Sequence, residues 1–158
     1  MGSRTVSLEC RSLTKRRRGI DLVRDISFHE DRPGVTAITG PSRSGKSTLL
    51  LMIAGLVHRT SGVVRIQGHD VLDPAARALI GCAVGEPEPY DRLNVIDTLD
   101  MAGELRGMGR PAIRQRIEYL DRALSLPPLG TVVANLPSTQ RRRVMLAVSL
   151  VADPPILA

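Results

Sequence analysis

The sequence predicts an α/β fold in which a glycine-rich loop joins a β-strand to an α-helix. Residues 40–48 read GPSRSGKST and satisfy the pattern G-x-x-x-x-G-K-[ST]. A β-rich run over residues 34–39 precedes this loop. An apolar run over 47–54 follows it, and Gly55 is placed to end a helix there. Strand, loop and helix in this order are the context in which the pattern marks a phosphate-binding site.

The whole loop is therefore a candidate nucleotide-binding site. Lys46 is expected to reach the β- and γ-phosphate oxygens, and the Ser47 hydroxyl is expected to ligate Mg²⁺. Position 46 holds one of only 2 lysines in a chain with 20 arginines, which strengthens the interpretation. A Gly/Ser-rich turn without a ligand is the alternative. The candidate ligand-binding residues of the loop are Gly40, Pro41, Ser42, Arg43, Ser44, Gly45, Lys46, Ser47 and Thr48.

Further elements follow from periodicity. Residues 5–9 and 63–67 have the alternating or β-branched character of strands. Between positions 111 and 124 the apolar residues recur at helical spacing, and Pro111 suits a first helical turn. That apolar stripe predicts packing rather than a cofactor site, with Arg114, Gln115, Arg116 and Glu118 facing water.

Composition excludes several classes of protein. The chain has 158 residues, 42% of them apolar and 24% charged, which fits one soluble domain. The longest apolar run, 49–57, is too short to cross a bilayer, and the polar N-terminus carries no secretory signal. Cys10, Cys82 and the 3 histidines fit no metal or redox spacing. A cytoplasmic protein is expected.

The net charge of +6 indicates nucleic acid or an anionic membrane surface as a candidate partner. Arginine triplets stand at 16–18 and 141–143, but aromatic stacking platforms for single strands are missing. We therefore interpret most of this charge as solvated surface and do not expect a nucleic-acid partner.

Beyond the loop, the chain resembles the nucleotide-binding domains of ATP-binding cassette (ABC) transporters, bacterial drug exporters among them. Residues 60–71 resemble the family's strand hairpin, and 93–99 with 104–107 resemble the opening of its helical subdomain. Residues 135–144 stand where the family has its LSGGQ signature, and 153–158 resemble the lead-in to the Walker B strand.

The resemblance implies a P-loop NTPase core of the ABC type with an N-terminal antiparallel β subdomain and a helical subdomain. It implies a single partial ABC domain over 1–158 whose C-terminal part is missing. Residues 1–89 are expected to form the β subdomain and P-loop core, 90–150 the helical subdomain with the signature helix, and 151–158 the start of the Walker B strand. Residues 156–158 are expected in the middle of a parallel core sheet.

Several family positions are altered. Gly85 stands at the Q-loop glutamine position, where Glu86 is a possible substitute, and LSGGQ has become LPSTQ over 136–140. Within that segment Ser138 and Gln140 are the candidate contacts to nucleotide on a partner subunit. Pro137 offers neither a hydroxyl nor an N–H group.

Two arginines replace other residue types that the family uses at the nucleotide. Arg43 occupies a loop position that is usually Gly, so it is strained if φ is positive there and could contact phosphate. Arg17 lies where an adenine-stacking aromatic is expected; it could stack on the base, or it could be part of a solvated triplet.

The resemblance also sets the expected function. The Walker B Asp, the catalytic Glu and the switch His would lie beyond Ala158, so no catalytic residue is assigned and hydrolysis by this chain is uncertain. We expect an ATP-binding subunit of an ABC transporter, or a fragment of one, that couples ATP binding or hydrolysis to transport. It would use ATP and Mg²⁺, dimerise with another ABC cassette, and sit at the inner face of the cell membrane through a permease. The alternatives are a non-hydrolysing degenerate remnant or regulatory partner, an ABC-type ATPase acting on nucleic acid, and a small-molecule kinase.

Overall fold

A computed structural model of the chain describes residues 7–84 and 92–158. The chain divides into two compact units, residues 1–80 together with Ala158, and residues 81–157. The P-loop lies in the first unit and the signature segment in the second. The predicted finer division at 89/90 and 150/151 stays a prediction.

The first unit contains a four-stranded antiparallel sheet in the order β2-β1-β3-β4. Its strands are β1 (Leu8–Arg17), β2 (Ile20–Glu30), β3 (Ser61–Ile66) and β4 (His69–Asp70). Two-residue turns join β1 to β2 and β3 to β4, and both residues of each turn have positive φ. Such turns match the twist of paired strands, and a glycine at the second position adopts them easily. The predicted antiparallel β subdomain and the hairpin over 60–71 are thus confirmed.

The first strand is longer than its sequence pattern predicted. Alternation suggested 5–9, of which 5 and 6 lie outside the described residues, whereas β1 continues to Arg17. Register shifts against β2 and β3 interrupt the alternation along β1, with Ser12 at a φ of 44°. Bulges of this kind remove the period-two signal on which the prediction depended. Strand β2, which pairs with β1 across the same irregularities, was not predicted from the sequence.

The predicted helix after the loop is α1 (Lys46–Ile53). It ends as expected at Gly55, which has a φ of 70°. The Gly55 N–H donates to the Met52 carbonyl at 3.1 Å, and the Leu56 N–H donates to the Leu51 carbonyl at 2.9 Å. These two bonds form a Schellman motif, for which a left-handed glycine is favoured. Helix α1 packs against β2.

The predicted strand over 34–39 is not present. No strand is assigned there, and the segment is exposed apart from Ile38, with Val35 99% exposed. Its β-branched composition favours extended chain, but a strand also needs a hydrogen-bonded neighbour. The part of the chain that the structure describes supplies no neighbour to this segment.

An ion pair between Arg59 and Asp70 connects the β3–β4 hairpin to the segment that precedes it. The Arg59 guanidinium donates to both Asp70 carboxylate oxygens, at 3.1 and 2.6 Å, and to the Gly62 carbonyl at 2.8 Å. The Asp70 carboxylate also accepts the Leu72 N–H at 3.0 Å. Burial raises the pKa of Asp70, but the hydrogen bonds from Arg59 and Leu72 outweigh it and hold the pKa below its usual range.

Replacing Asp70 by Asn should lower the free energy of unfolding by about 1–3 kcal/mol at neutral pH, since a partly buried Arg59 loses its carboxylate. The folded-state pKa of Asp70 is depressed, so its contribution is present above the unfolded pKa and is lost as pH falls through the folded value. The difference between wild type and Asp70→Asn, measured by urea unfolding, should therefore shrink below about pH 4. Asp31→Asn, at an exposed carboxylate, is the control. A difference that is equally large at acidic pH would contradict the role of this carboxylate charge.

The second unit is built around three helices and a buried core. They are α3 (Val95–Leu105), α4 (Arg110–Leu124) and α5 (Ser138–Leu150), with a 3-10 turn at Val133–Asn135; the short α2 (Pro74–Arg77) belongs to the first unit. Asn94 is the N-cap residue of α3, and its side chain accepts the Asp97 N–H at 2.8 Å. The apolar side chains of the core come from Val95, Leu99, Ala102, Ile113, Ile117, Leu120, Val133, Leu136, Val144, Ala147 and Val151.

The predicted helix over 111–124 is confirmed as α4, and its stripe is core as expected. The prediction that Arg116 faces water is wrong in part. Its guanidinium donates to the Leu150 carbonyl at 3.1 Å and to Asp153 at 2.7 Å, and it lies 4.9 Å from the Tyr119 ring centroid. Arginine can bury its stem while its head satisfies the last carbonyls of a neighbouring helix. Arg116 thus joins α4 to the end of α5.

The strand predicted near the end of the chain is β6 (Ile156–Leu157). It belongs to a two-stranded sheet with β5 (Ile80–Gly81), so the expectation of a central position in a larger sheet is wrong for the described residues. A central strand needs neighbours on both sides, and β6 has one. The Leu157 side chain is consequently half exposed.

Candidate functional site

The loop over 40–48 owes its shape to three residues with positive φ. These are Gly40 at 152°, Arg43 at 64° and Gly45 at 91°. The Ser44 N–H donates to the Pro41 carbonyl at 3.3 Å and closes a turn inside the loop. Glycine adopts such angles at little cost, whereas arginine does not. Arg43 was expected to be strained if its φ were positive, and its φ is positive.

Lys46 holds the loop together from inside. Its ammonium group donates to the Gly40 carbonyl at 3.1 Å, the Pro41 carbonyl at 2.6 Å and the Ser44 hydroxyl at 3.4 Å. An ammonium has three donors, and here all three have protein acceptors. The same side chain that was predicted to reach phosphates thus also braces the loop around it.

Gly45 lies close against strand β2 of the sheet. A Cβ at this position would collide with the Leu22 carbonyl oxygen on β2 and would lie 3.3 Å from the Val23 side chain. The loop therefore needs glycine here for space as well as for conformation. Leu22 was not among the predicted site residues, since nothing in the sequence pairs a residue of β2 with the loop.

A shallow cavity of about 180 Å³ opens at this place. It is lined by Leu22, Arg43, Ser44, Gly45, Lys46, Ser47 and Thr48. The structure thus brings six of the nine predicted loop residues to one cavity. Of the other three, Gly40 and Pro41 hold Lys46 through their carbonyls, and Ser42 is exposed beside them.

The cavity lies at the N-terminus of α1. The first helical bond runs from the Leu49 N–H to the Gly45 carbonyl at 2.8 Å, so the amides of 46, 47 and 48 have no acceptor within the helix. Free N–H groups and the positive end of the helix dipole together favour an anion. The exposed Ser47 hydroxyl is available as a cation ligand. Within 7–84 and 92–158, no cluster of three or more His, Cys, Asp or Glu could hold a metal ion by itself.

The predicted base contact Arg17 does not line this cavity. It ends β1, is exposed, and is paired across the sheet with Ile20. The neighbouring Arg16 is engaged by Asp21, with its Nε atom 2.7 Å from the carboxylate. The stacking role of Arg17 stays a prediction.

The signature segment places Ser138 and Gln140 in the first turn of α5. Ser138 is exposed, Gln140 is half-buried, and Pro137 is the N-cap residue with no side-chain hydrogen bond. Of the following arginine triplet, Arg143 donates to the Ser125 carbonyl at 3.1 Å. The Q-loop position Gly85, with Glu86, lies outside the described residues.

Pro137 leaves the first turn of α5 without a cap, which gives a testable consequence. At this φ of −56° and ψ of 152° a serine oxygen can accept the N–H of Thr139 or Gln140. Because exchanging proline also changes the unfolded chain, the informative comparison is Pro137→Ser against Pro137→Ala. Serine should be more stable by about 1 kcal/mol in chemical unfolding. Equal stabilities of the two variants would show that this turn needs no cap.

Neither of the two cysteines lines the loop cavity. Cys10 is buried in β1, and burial raises the pKa of its thiol to about 12, with a further contribution from Glu9. A thiol with so high a pKa is a poor nucleophile at neutral pH.

The family model for ABC transporters matches residues 23–158, which include the loop, α1, the three-helix unit and the signature segment. The chain belongs to the ABC transporter family.

Curated relatives of this domain support the family assignment. It is 30% identical over 151 residues to the ABC transporter ATP-binding protein NatA of Bacillus subtilis, an alignment covering 93% of this chain and 61% of NatA. It is 36% identical over 146 residues to the molybdenum import ATP-binding protein ModC of Hahella chejuensis, covering 87% of this chain and 39% of ModC. The chain therefore spans less than two thirds of the length of each of these two relatives.

Solved structures support the fold. An ATP-binding subunit of an ABC transporter superimposes with a TM-score of 0.86 at 24% identity, covering 95% of this chain and 64% of that one. A bacterial Atm1-family ABC exporter with ATP bound gives a TM-score of 0.77 at 21% identity, covering 99% of this chain and 29% of the exporter. The fold is thus the P-loop α/β fold of ABC nucleotide-binding domains. Among the described residues no helix is long and apolar enough to cross a membrane.

Proposed function

We propose that this ABC domain binds ATP at the loop over 40–48 and serves as all or part of the ATP-binding subunit of an ABC transporter. The observation that carries the proposal is the cavity at the N-terminus of α1, where Lys46, Gly45 and unpaired helix amides converge. This arrangement suits the phosphates of a nucleotide, because it offers a cation, free donors and a backbone surface without a Cβ.

Within this proposal each residue has a role of its own. Lys46 would exchange one loop carbonyl for phosphate oxygens, and the amides of 45–48 would donate to the β-phosphate. The Ser47 hydroxyl would supply one ligand to Mg²⁺, with the nucleotide phosphates completing much of the rest. Bound Mg²⁺ would neutralise phosphate charge.

The partners are inferred from relatives rather than from this chain alone. The curated relatives include import ATP-binding proteins, and one structural neighbour is an exporter with ATP bound. We therefore propose pairing with a second ABC cassette and docking on a membrane permease. In this proposal the domain would lie at the cytoplasmic face of a membrane as a peripheral subunit.

A second candidate is a regulatory cassette that binds ATP without hydrolysing it. One observation favours it. Pro137 is the N-cap residue of α5 and has neither a hydroxyl nor an N–H group, whereas the family signature has a residue with both groups at this position. A signature that donates less to the partner's nucleotide would stabilise the transition state less.

Calorimetric titration with ATP, with and without Mg²⁺, beside a phosphate-release assay, tests the proposal and separates it from this candidate. Saturable ATP binding that competes with ADP is expected. Absence of binding at millimolar ATP would refute the proposed function. Binding with turnover by the unmodified chain in the assembled transporter would favour the transporter subunit. Binding without turnover, or with turnover only in Pro137→Ser, would favour the regulatory cassette.

A further inference from the structure

Arg43 combines three features that no other residue of the loop shares. It carries a permanent positive charge, its φ of 64° lies in the left-handed region, and it lines the phosphate cavity. A strained non-glycine backbone persists where the surrounding structure or a function holds it. Glycine would adopt this value of φ more readily than arginine.

The Arg43 side chain is also available to a ligand. The residue is exposed, and among the described residues it makes no hydrogen bond or ion pair to a protein group. The Lys46 ammonium differs in this respect, because all three of its donors already have loop acceptors. Among the described residues that line this cavity, Arg43 is therefore the cation without a protein acceptor, while Lys46 has to give up a contact before it can bind.

The charges define what Arg43 would bind. A free triphosphate carries close to four negative charges at neutral pH, whereas Lys46 and the helix dipole supply about one and a half positive charges. Guanidinium groups bind phosphate oxygens in a bidentate fork and stay charged at every accessible pH. A second cation at the cavity would offset much of the charge that Mg²⁺ otherwise neutralises.

We propose that Arg43 is a second phosphate-binding residue of this loop, which makes triphosphate binding less dependent on Mg²⁺. The inference deepens the proposed nucleotide function and rests on it. It assigns to the guanidinium phosphate oxygens other than those that the amides at the N-terminus of α1 would bind. The site then binds inorganic tripolyphosphate as well as nucleotides, since the contacts are to phosphate.

The test measures binding of ATP and of inorganic tripolyphosphate by calorimetry, in EDTA and in excess Mg²⁺. Arg43→Gln should weaken binding of both ligands about 10-fold in EDTA and less in Mg²⁺. The affinity of Arg43→Lys should lie between those of wild type and Arg43→Gln. Arg32→Gln removes the same charge from an exposed position outside the cavity and should have no effect. Equal losses in Arg43→Gln and Arg32→Gln would overturn the proposal.

Arg43→Gly separates binding from folding. This variant relieves the strained backbone, so its Tm should rise by about 2–4 °C while its affinity in EDTA falls. An affinity as high as wild type in Arg43→Gly would overturn the role of Arg43 and leave nucleotide binding intact. No binding by the wild-type chain would instead refute the proposed function itself.

Discussion

Replacing Lys46 by Met is expected to weaken ATP binding roughly 100-fold, because one change removes a phosphate ligand and the brace of the loop. The Lys46 ammonium contacts the Gly40 carbonyl at 3.1 Å, the Pro41 carbonyl at 2.6 Å and the Ser44 hydroxyl at 3.4 Å. Methionine keeps the length of the stem and none of its donors. Calorimetric titration with ATP in Mg²⁺ measures the loss.

The only other lysine of the chain provides a matched control. Lys15 lies on β1 and donates to the His58 carbonyl at 2.5 Å, away from the loop cavity. Lys15→Met removes the same charge and should leave the affinity for ATP within about twofold of wild type. Similar losses in both variants would mean that ATP binding follows net charge, which contradicts a specific site.

The Gly45→Ala variant is expected to lose both stability and nucleotide binding. Its methyl group would collide with the Leu22 carbonyl oxygen, and its φ of 91° disfavours any side chain. Strain and displacement of the loop together should cost about 3 kcal/mol of unfolding free energy. Urea unfolding measures the cost, and ATP titration below the unfolding transition measures the loss of affinity.

Gly34→Ala is the control for this substitution. Gly34 has open space around it and no positive φ, so alanine there should change stability by less than about 0.5 kcal/mol. Nucleotide affinity in Gly45→Ala equal to that of Gly34→Ala would show that the close approach to β2 has no part in binding. An unchanged free energy of unfolding would show that the loop can move away from Leu22 without cost.

The sequence predicted those parts of the molecule that local chemistry determines. The glycine and lysine spacing predicted the loop at 40–48, and Gly55 predicted the end of α1. The helical stripe predicted the buried face of α4, with Ile113, Ile117 and Leu120 in the core. In each case a short range of residues contains the physical cause.

What escaped prediction depends on distant parts of the chain. The segment 34–39 has the composition of a strand, but pairing decides the outcome, and pairing is not local. Leu22 lines the cavity only because β2 passes under Gly45. Arg116 donates a hydrogen bond to the Leu150 carbonyl at the end of α5, more than thirty residues away in the sequence. Helical spacing within α4 does not reveal such a contact.

The most direct test of the central claim is a titration of isotope-labelled protein with ATP, followed through the backbone amide resonances. If the loop is the phosphate site, the amides of Gly45, Lys46, Ser47 and Thr48 should shift most, and tripolyphosphate should reproduce those shifts. The Lys46→Met variant should show neither set. Saturable shifts confined to the second unit, or shifts in the loop that survive Lys46→Met unchanged, would contradict the claim that this loop binds the nucleotide phosphates.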